Sequence, residues 1–414
     1  MATIEKPAAG TLDPSRAELW RDGEAAPLLA RLRAEDPVHF CPESAFGPYW
    51  SLTRHADIMQ AEALPHIFSS SWKYGGITIL GTGEPLWGEE LLPMFIAMDR
   101  PEHTGQRRTV SPAFAPSEMA RLRPSVRART EALIDSLPIG ETFDWVDRVS
   151  IELTTQMLAL LFDFPWEERR KLTYWSDWAG DIEAARSNEL GPKRHQVMME
   201  CGAYFAQLWK ERETAEPRPD LISMMIHSEA TRDMTPAAYL GNTLLLIIGG
   251  NDTTRNTMSA LPIVNARWAE EWEKIVADPG LVANAAQELI RWQTPLAHMR
   301  RTALEEHEIG GRTIPAGAKL VLWFASGNRD ESVFADPDRF VADRDNARRH
   351  LAFGFGIHRC VGARLAELQL ATLIEVLLDR GLTPVAAGEP ERVASCFVNG
   401  YRRLPARLLS NRAG

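Results

Sequence analysis

The sequence predicts a mainly α fold with a small β region. Apolar residues recur at three- and four-residue spacing through about 102–111, 117–135, 148–162, 166–186, 193–213, 236–268 and 281–293. Alternation of the β type is confined to residues near 35–70 and 297–325.

Taken in order, residues 1–34 are spaced by prolines and charges and read as an N-terminal extension. PVHFCP and GPYWSLT then set aromatic and β-branched residues between turn formers, the pattern of two short strands. Residues 72–92 hold five glycines among bulky apolar side chains and read as a long ordered loop, a feature that compact domains keep mainly for function. Pro165, Pro192 and Pro217 divide the helices that follow. The longest helix opens on Thr235 as N-cap with Pro236 in its first turn. Its interior carries Gly249 and Gly250, each costing about 1 kcal/mol against alanine, and Leu261–Pro262 reads as an interruption. IGGRTIPAGAKLVLWF (309–324) alternates between turn glycines, and residues 351–381 form a Gly-rich turn running into an amphipathic helix.

Composition narrows the function. Apolar residues make up 45% and charged residues 25% of 414, which excludes disordered and low-complexity architectures, and no linker divides the chain, so a single domain over 1–414 is expected. A net charge of −10 argues against nucleic acid as partner. The most apolar run, LLLIIGG (244–250), is far short of the roughly 20 residues of a membrane helix, and MATIEKPAAG has no secretory pattern, so no membrane span and a cytoplasmic location are expected. The four cysteines are scattered without a C-x-x-C pair, which argues against a zinc site or a disulfide framework.

One cysteine stands out. FGFGIHRCVG (353–362) places Cys360 just before a helix, behind Gly354 and Gly356. The N–H groups and partial positive charge of the helix start are expected to lower its thiol pKa, with His358 and Arg359 as further donors. Phe353, Gly356, His358, Cys360 and Gly362 together spell F-x-x-G-x-H-x-C-x-G, and this resembles the haem-binding loop of the cytochrome P450 family. The resemblance implies haem b with the Cys360 thiolate on the iron, Phe353 shielding the sulfur and glycines, Gly362 among them, letting the backbone approach the ring.

Further motifs extend the resemblance from about residue 35 to 410. ELIR (288–291) matches E-x-x-R, and the family pattern makes Arg339 of DPDRF the third member of a buried Glu288–Arg291–Arg339 cluster. GGNDTT (249–254) matches A/G-G-x-D/E-T-T, which implies a locally opened helix, with Thr253 hydrogen-bonding the oxygen being activated and Asp252 relaying protons. Two haem propionates call for His103 and Arg107 of PEHTGQR, His358, and one of the neighbouring Arg300 and Arg301, which strand alternation sends to opposite faces. Family alignment favours Arg301.

Substrate contacts implied by the family fall on Leu86, Leu245, Ile248, Gly249, Leu296, Ala297, Met299, Phe397 and Val398, all apolar, which suits an aliphatic substrate. The stretches 94–103, 249–259, 290–303 and 348–362 are most similar to bacterial terminal hydroxylases of alkanes and fatty acids, with departures at Arg100 and at Leu261–Pro262. The reaction so implied hydroxylates a medium-chain alkane or fatty acid with O2. A cyclic terpenoid is the alternative substrate. Electrons would come from NAD(P)H through a ferredoxin reductase and a ferredoxin, the latter meeting Arg107, Arg108, Arg344, Arg348, Arg349, Arg359 and Arg364. A haem-thiolate gas sensor has no use for the Asp252–Thr253 pair, and a cysteine hydrolase built on Cys360 and His358 has the wrong geometry for a base.

Overall fold

The structure, a computed structural model, describes residues 12–80 and 92–411. Its organising element is the central helix Pro236–Arg267, started by Thr235, whose hydroxyl accepts the Ala238 N–H at 3.2 Å. Leu244, Leu246 and Ile247 lie in one core with Phe162, Trp175 and Phe205. Met258 to Val264 lie in a second core with Trp145, Ile290 and Leu373. The stretch between the two cores carries the glycine pair and the acid–hydroxyl motif.

The helix does not stop at Pro262. A proline there has no N–H for the carbonyl of Met258, four residues back. The indole N–H of Trp145 donates to that carbonyl at 3.1 Å, so the lost bond is replaced by a side chain from a neighbouring element and the helix runs on to Arg267. Trp145 leads into a π-helical turn, Val146–Ile151, continuous with Glu152–Phe162.

The helix after the cysteine, Ala363–Arg380, starts at Gly362 and ends on Gly381 at φ +63°, whose N–H caps Leu377 and Leu378. It packs on Pro116–Asp135, on Val282–Gln293 and on the central helix. The expected helices are present, the 166–186 run being divided into Trp166–Glu168, Arg170–Gly180 and Ile182–Arg186. Short helices missing from the sequence reading include Ala17–Arg21, Ala25–Glu35, His55–Ala63, Leu221–His227, Ala269–Ala277 and the single turn Phe324–Gly327. Each presents only a few buried apolar residues, too few for a periodic signal.

The two strands read near the N-terminus pair antiparallel, Val38 opposite Leu52. They enter a five-stranded sheet ordered Val38–Cys41, Tyr49–Leu52, Lys319–Leu322, Met299–Ala303, Phe68–Ser69. A second sheet of Phe143–Asp144, Pro405–Ser410 and Leu382–Ala386 brings the C-terminal segment beside the central helix, and this was not foreseen. No helix among the described residues is long and apolar enough to cross a membrane.

Candidate active site

Cys360 sits in a loop folded back on itself, its N–H donating to the Phe353 carbonyl at 2.7 Å. Gly354 and Gly356 take φ near +66° and +67°, and a Cβ on Gly356 would fall 2.7 Å from the Glu62 carbonyl oxygen, so only glycine fits. The sulfur opens onto a cavity of about 320 Å³ that also meets Phe353, His358, Gly362, Arg107, Arg301 and the middle of the central helix. Burial raises the thiol pKa, outweighing the Gly362 N–H and the charges of Arg107 and Arg359. The side chain is nonetheless exposed to the cavity, where the Gly362 N–H, Arg107 and Arg359 all act in the expected, thiolate-favouring direction, and a bound metal cation deprotonates a coordinating thiol outright.

Beside the sulfur lies a cluster of cations and imidazoles. The rings of His103 and His358 are 4.4 Å apart and buried, and among the described residues none of their four nitrogens has a hydrogen-bond partner. Burial, with Arg301, His103 and Arg107 added, drives the pKa of His358 down to about 2, and burial with Arg107 takes His103 to about 4. Arg300 and Arg301 do face opposite ways. Arg300 turns from the cavity to the carbonyls of Tyr74, Gly75 and Leu80, whereas Arg301 lines it and holds Glu62 at 2.9 Å. Arg107 lines the cavity too and donates to the Arg359 carbonyl.

Sequence reasoning missed Glu62. It closes the helix His55–Ala63, accepts the Phe355 N–H at 2.7 Å, and is pushed up to about 7 by burial against the opposing pull of Arg301 and that N–H. Nothing in its own segment marks it, because its partner is 239 residues away.

The central helix stays α-helical through the glycine pair, so the expected local opening is not a break in the backbone. Room comes from absent side chains. A Cβ on Gly249 would meet nothing within 4 Å, while one on Gly250 would press Leu158 at 2.7 Å. Thr253 lines the cavity and donates to the Gly249 carbonyl at 2.8 Å. Asp252 points away from the cavity toward Arg170–Gly180. Its Oδ1 accepts from Ser176 at 2.9 Å and Asn251 at 3.0 Å and meets Arg255 at 3.1 Å. Arg255 in turn holds Asp177, half exposed, at 2.7 Å. Burial keeps the Asp252 pKa above the ordinary carboxylate range, opposed by Arg255.

The E-x-x-R cluster needs one correction. Glu288 and Arg291 form a fully buried bidentate pair, but the second arginine on Glu288 is Arg344, at 2.9 Å, and not Arg339. Arg339 extends to Glu270 and Glu271 near the surface and gives only its carbonyl to Arg291 and Arg344. Arg344 is thereby removed from the basic surface set, in which Arg108, Arg348, Arg349, Arg359 and Arg364 remain exposed.

Of the apolar residues expected at the substrate, Leu245, Ile248, Gly249, Leu296, Met299 and Phe397 line the cavity. Ala297 and Val398 do not. Ala297 is buried, its N–H on the Phe397 carbonyl, and Val398 pairs with Leu296 in an isolated bridge, so both hold the backbone behind the wall. Leu86 lies outside the described residues. Ile77, Thr78 and Leu80, from the Gly-rich loop read as functional, and Ala179 and Ile182 also reach the cavity, though none was singled out by sequence.

A family model described as "Cytochrome P450" matches residues 139–380. The chain belongs to the cytochrome P450 family. It is 36% identical over 390 residues to linalool 8-monooxygenase of Pseudomonas putida, covering 92% of this chain and 95% of that one. It is 32% identical to methyl-branched lipid omega-hydroxylase of Mycobacterium tuberculosis strain H37Rv, covering 93% and 90%. Among solved structures, cytochrome P450-153 from Novosphingobium aromaticivorans superposes with a TM-score of 0.91 at 52% identity, covering 96% of this chain and 99% of that one. CYP153D17 from Sphingomonas sp. PAMC 26605 gives 0.91 at 57%, covering 96% and 98%. P450 enzymes are monooxygenases that carry haem on a cysteine thiolate and draw on NAD(P)H through redox partners. This cavity fits that group. A sulfur faces it, His358, Arg107 and Arg301 line it, and the nitrogens of His103 and His358, unpartnered among the described residues, are donors suited to buried carboxylates.

Proposed function

We propose that this P450 hydroxylates the terminal carbon of a medium-chain alkane or fatty acid, with O2 and with electrons relayed from NAD(P)H through a ferredoxin reductase and a ferredoxin. The observation that carries the reading is the apolar lining of the cavity, in which Leu245, Ile248, Leu296, Met299 and Phe397 share one space with Cys360. Such a surface binds a chain by burial of its area, at about 25 cal/mol per Å². Terminal C–H bonds are stronger than internal ones, so selectivity for the end of the chain has to come from how that lining positions it. The methyl-branched lipid omega-hydroxylase relative supports an end-on attack.

Haem held by a thiolate supplies the activation of O2, the sulfur pushing electron density toward O–O cleavage. The remaining work falls to the chain. Cys360 would be the ligand, Phe353 would shield the sulfur, and His103, Arg107, Arg301 and His358 would take the propionates. Thr253, at the cavity, offers a hydroxyl to the reacting oxygen. Asp252 holds a proton more readily than an exposed carboxylate, and Arg255 and Asp177 connect it to solvent. Exposed Arg108, Arg348, Arg349, Arg359 and Arg364 suit an acidic ferredoxin despite the overall charge of −10. The overall balance is R–H + O2 + NAD(P)H + H⁺ → R–OH + H2O + NAD(P)⁺.

A terpenoid substrate is the second reading, favoured by the likeness to linalool 8-monooxygenase. Product analysis on octane, dodecanoic acid and linalool separates the two. Mostly terminal alcohols from the linear chains are expected. Predominantly subterminal products, or turnover of the terpenoid with none of either linear chain, would overturn terminal hydroxylation.

A further inference from the structure

We infer that His298 is a positioning residue for regioselectivity: its ring is the joint that holds two walls of the substrate cavity, the 76–80 loop and the 395–398 turn, at a fixed separation. Its partners dictate its tautomer. The N–H of Ile79 donates to Nε2 at 3.2 Å, so Nε2 must be bare, and Nδ1 must therefore carry the proton it gives to the Cys396 carbonyl at 2.8 Å. The ring is fully buried, set edge-on to Trp323 at 5.1 Å and to Phe397 at 5.3 Å. Burial lowers its pKa to about 4, so it is neutral wherever the enzyme is folded near neutral pH.

Each wall is already tied to the strand Met299–Ala303 or the residues before it. Arg300 holds the loop through the carbonyls of Tyr74, Gly75 and Leu80, and its own N–H donates to Ile77. The turn is held by Ala297 N–H on Phe397 and by Ser395, whose hydroxyl accepts from Phe397 and Val398. Ile79 and Leu80 of the loop also share one apolar core with Cys396, Phe397 and Val398 of the turn, a contact that carries no direction of its own. His298 reaches both. Its neighbours on either side do the contacting: Ile77, Thr78 and Leu80 from the loop, Phe397 from the turn and Met299 from the strand line the cavity, while the imidazole itself does not. A rigid ring with a donor and an acceptor on separate edges spans that gap at one fixed length and gives both the Ile79 N–H and the Cys396 C=O a partner.

The inference rests on the cavity being the substrate's, as proposed above, and its test compares each variant with the wild type's own product mixture. It therefore holds or fails separately from the question of which carbon is attacked. His298→Phe keeps the ring and its edge contacts but loses both hydrogen bonds; His298→Gln keeps a donor and an acceptor. Holoenzyme of each is examined with octane and dodecanoic acid. His298→Phe is expected to retain haem and the spectrum of its ferrous carbon monoxide complex, to bind substrate roughly tenfold more weakly by the substrate-induced spin shift, and to broaden the positions attacked, with KM moving more than kcat. His298→Gln should recover part of that selectivity. A folded His298→Phe enzyme with unaltered product ratios would overturn the inference. Should that variant not fold, ring ¹⁵N shifts of the wild-type ferrous carbon monoxide complex decide: a neutral Nδ1–H tautomer constant from about pH 5 to 8 and a slowly exchanging Ile79 amide support it, and an Nε2–H or titrating ring overturns it.

Discussion

The carboxylate of Asp252 is seated against Gly180, where an added Cβ would stand 2.9 Å from its Oδ2. Gly180→Ala should leave the backbone in place, because the atom that must give way is the end of a side chain, while costing some stability through the buried Asp252–Arg255 pair. It should turn Asp252 away from Ser176 and Arg255. Turnover is expected to fall roughly tenfold or more, in the range of a lost proton-transfer group, with more NAD(P)H consumed per product. Stopped-flow and coupling measurements check this; wild-type turnover and coupling would remove Asp252 from proton delivery.

Arg344 and Arg339 should respond in opposite ways to removal. Arg344→Ala breaks a buried pair with Glu288 and is expected to cost about 3–5 kcal/mol. Arg339→Ala, at a side chain 42% exposed, should cost no more than about 1 kcal/mol. Urea unfolding of the two variants measures the difference, and equal losses would return Arg339 to the cluster.

The indole of Trp145 matters because residue 262 is a proline. Trp145→Phe should cost about 1–3 kcal/mol by leaving the Met258 carbonyl buried without a donor. In a Pro262→Ala background the helix regains its own N–H, so the same substitution should cost less. A double-mutant cycle reads that coupling, and a cycle with no interaction energy would mean the indole is not replacing the helical bond.

Acid should destabilise the protein through His350. Its ring is bonded to Gln287 and to the Ala352 N–H, and burial, then Arg291, Arg359 and Arg348, lower its pKa to about 3. The unfolded chain takes up a proton near pH 6.5 that the folded chain refuses until about pH 3. Stability is thus fully present above pH 6.5 and declines below it, by up to about 1.4 kcal/mol per pH unit for this one proton. His350→Gln should flatten the fall between pH 6.5 and 5 by that slope, as read from denaturant midpoints; parallel curves would show that His350 is not the group responsible.

The family and its haem-thiolate chemistry were legible from contiguous residues alone. The turn and helix around Cys360, the Asp252–Thr253 pair and the one-turn pairing of Glu288 with Arg291 are short-range arrangements, and spacing along a strand or helix sets their geometry. For the same reason the opposite facing of Arg300 and Arg301 could be read in advance.

What only the tertiary structure decided are the partners that meet across the chain. Glu62 reaches Arg301, Arg344 displaces Arg339 at Glu288, Trp145 replaces the bond Pro262 cannot make, and His298 spans Ile79 and Cys396. Each is a buried polar group that must find a partner once water is excluded, and which partner lies within 3 Å or so depends on how separate elements pack. Local pattern announced only some of these groups, Glu288 and Arg301 among them; only the packed chain settles what satisfies each.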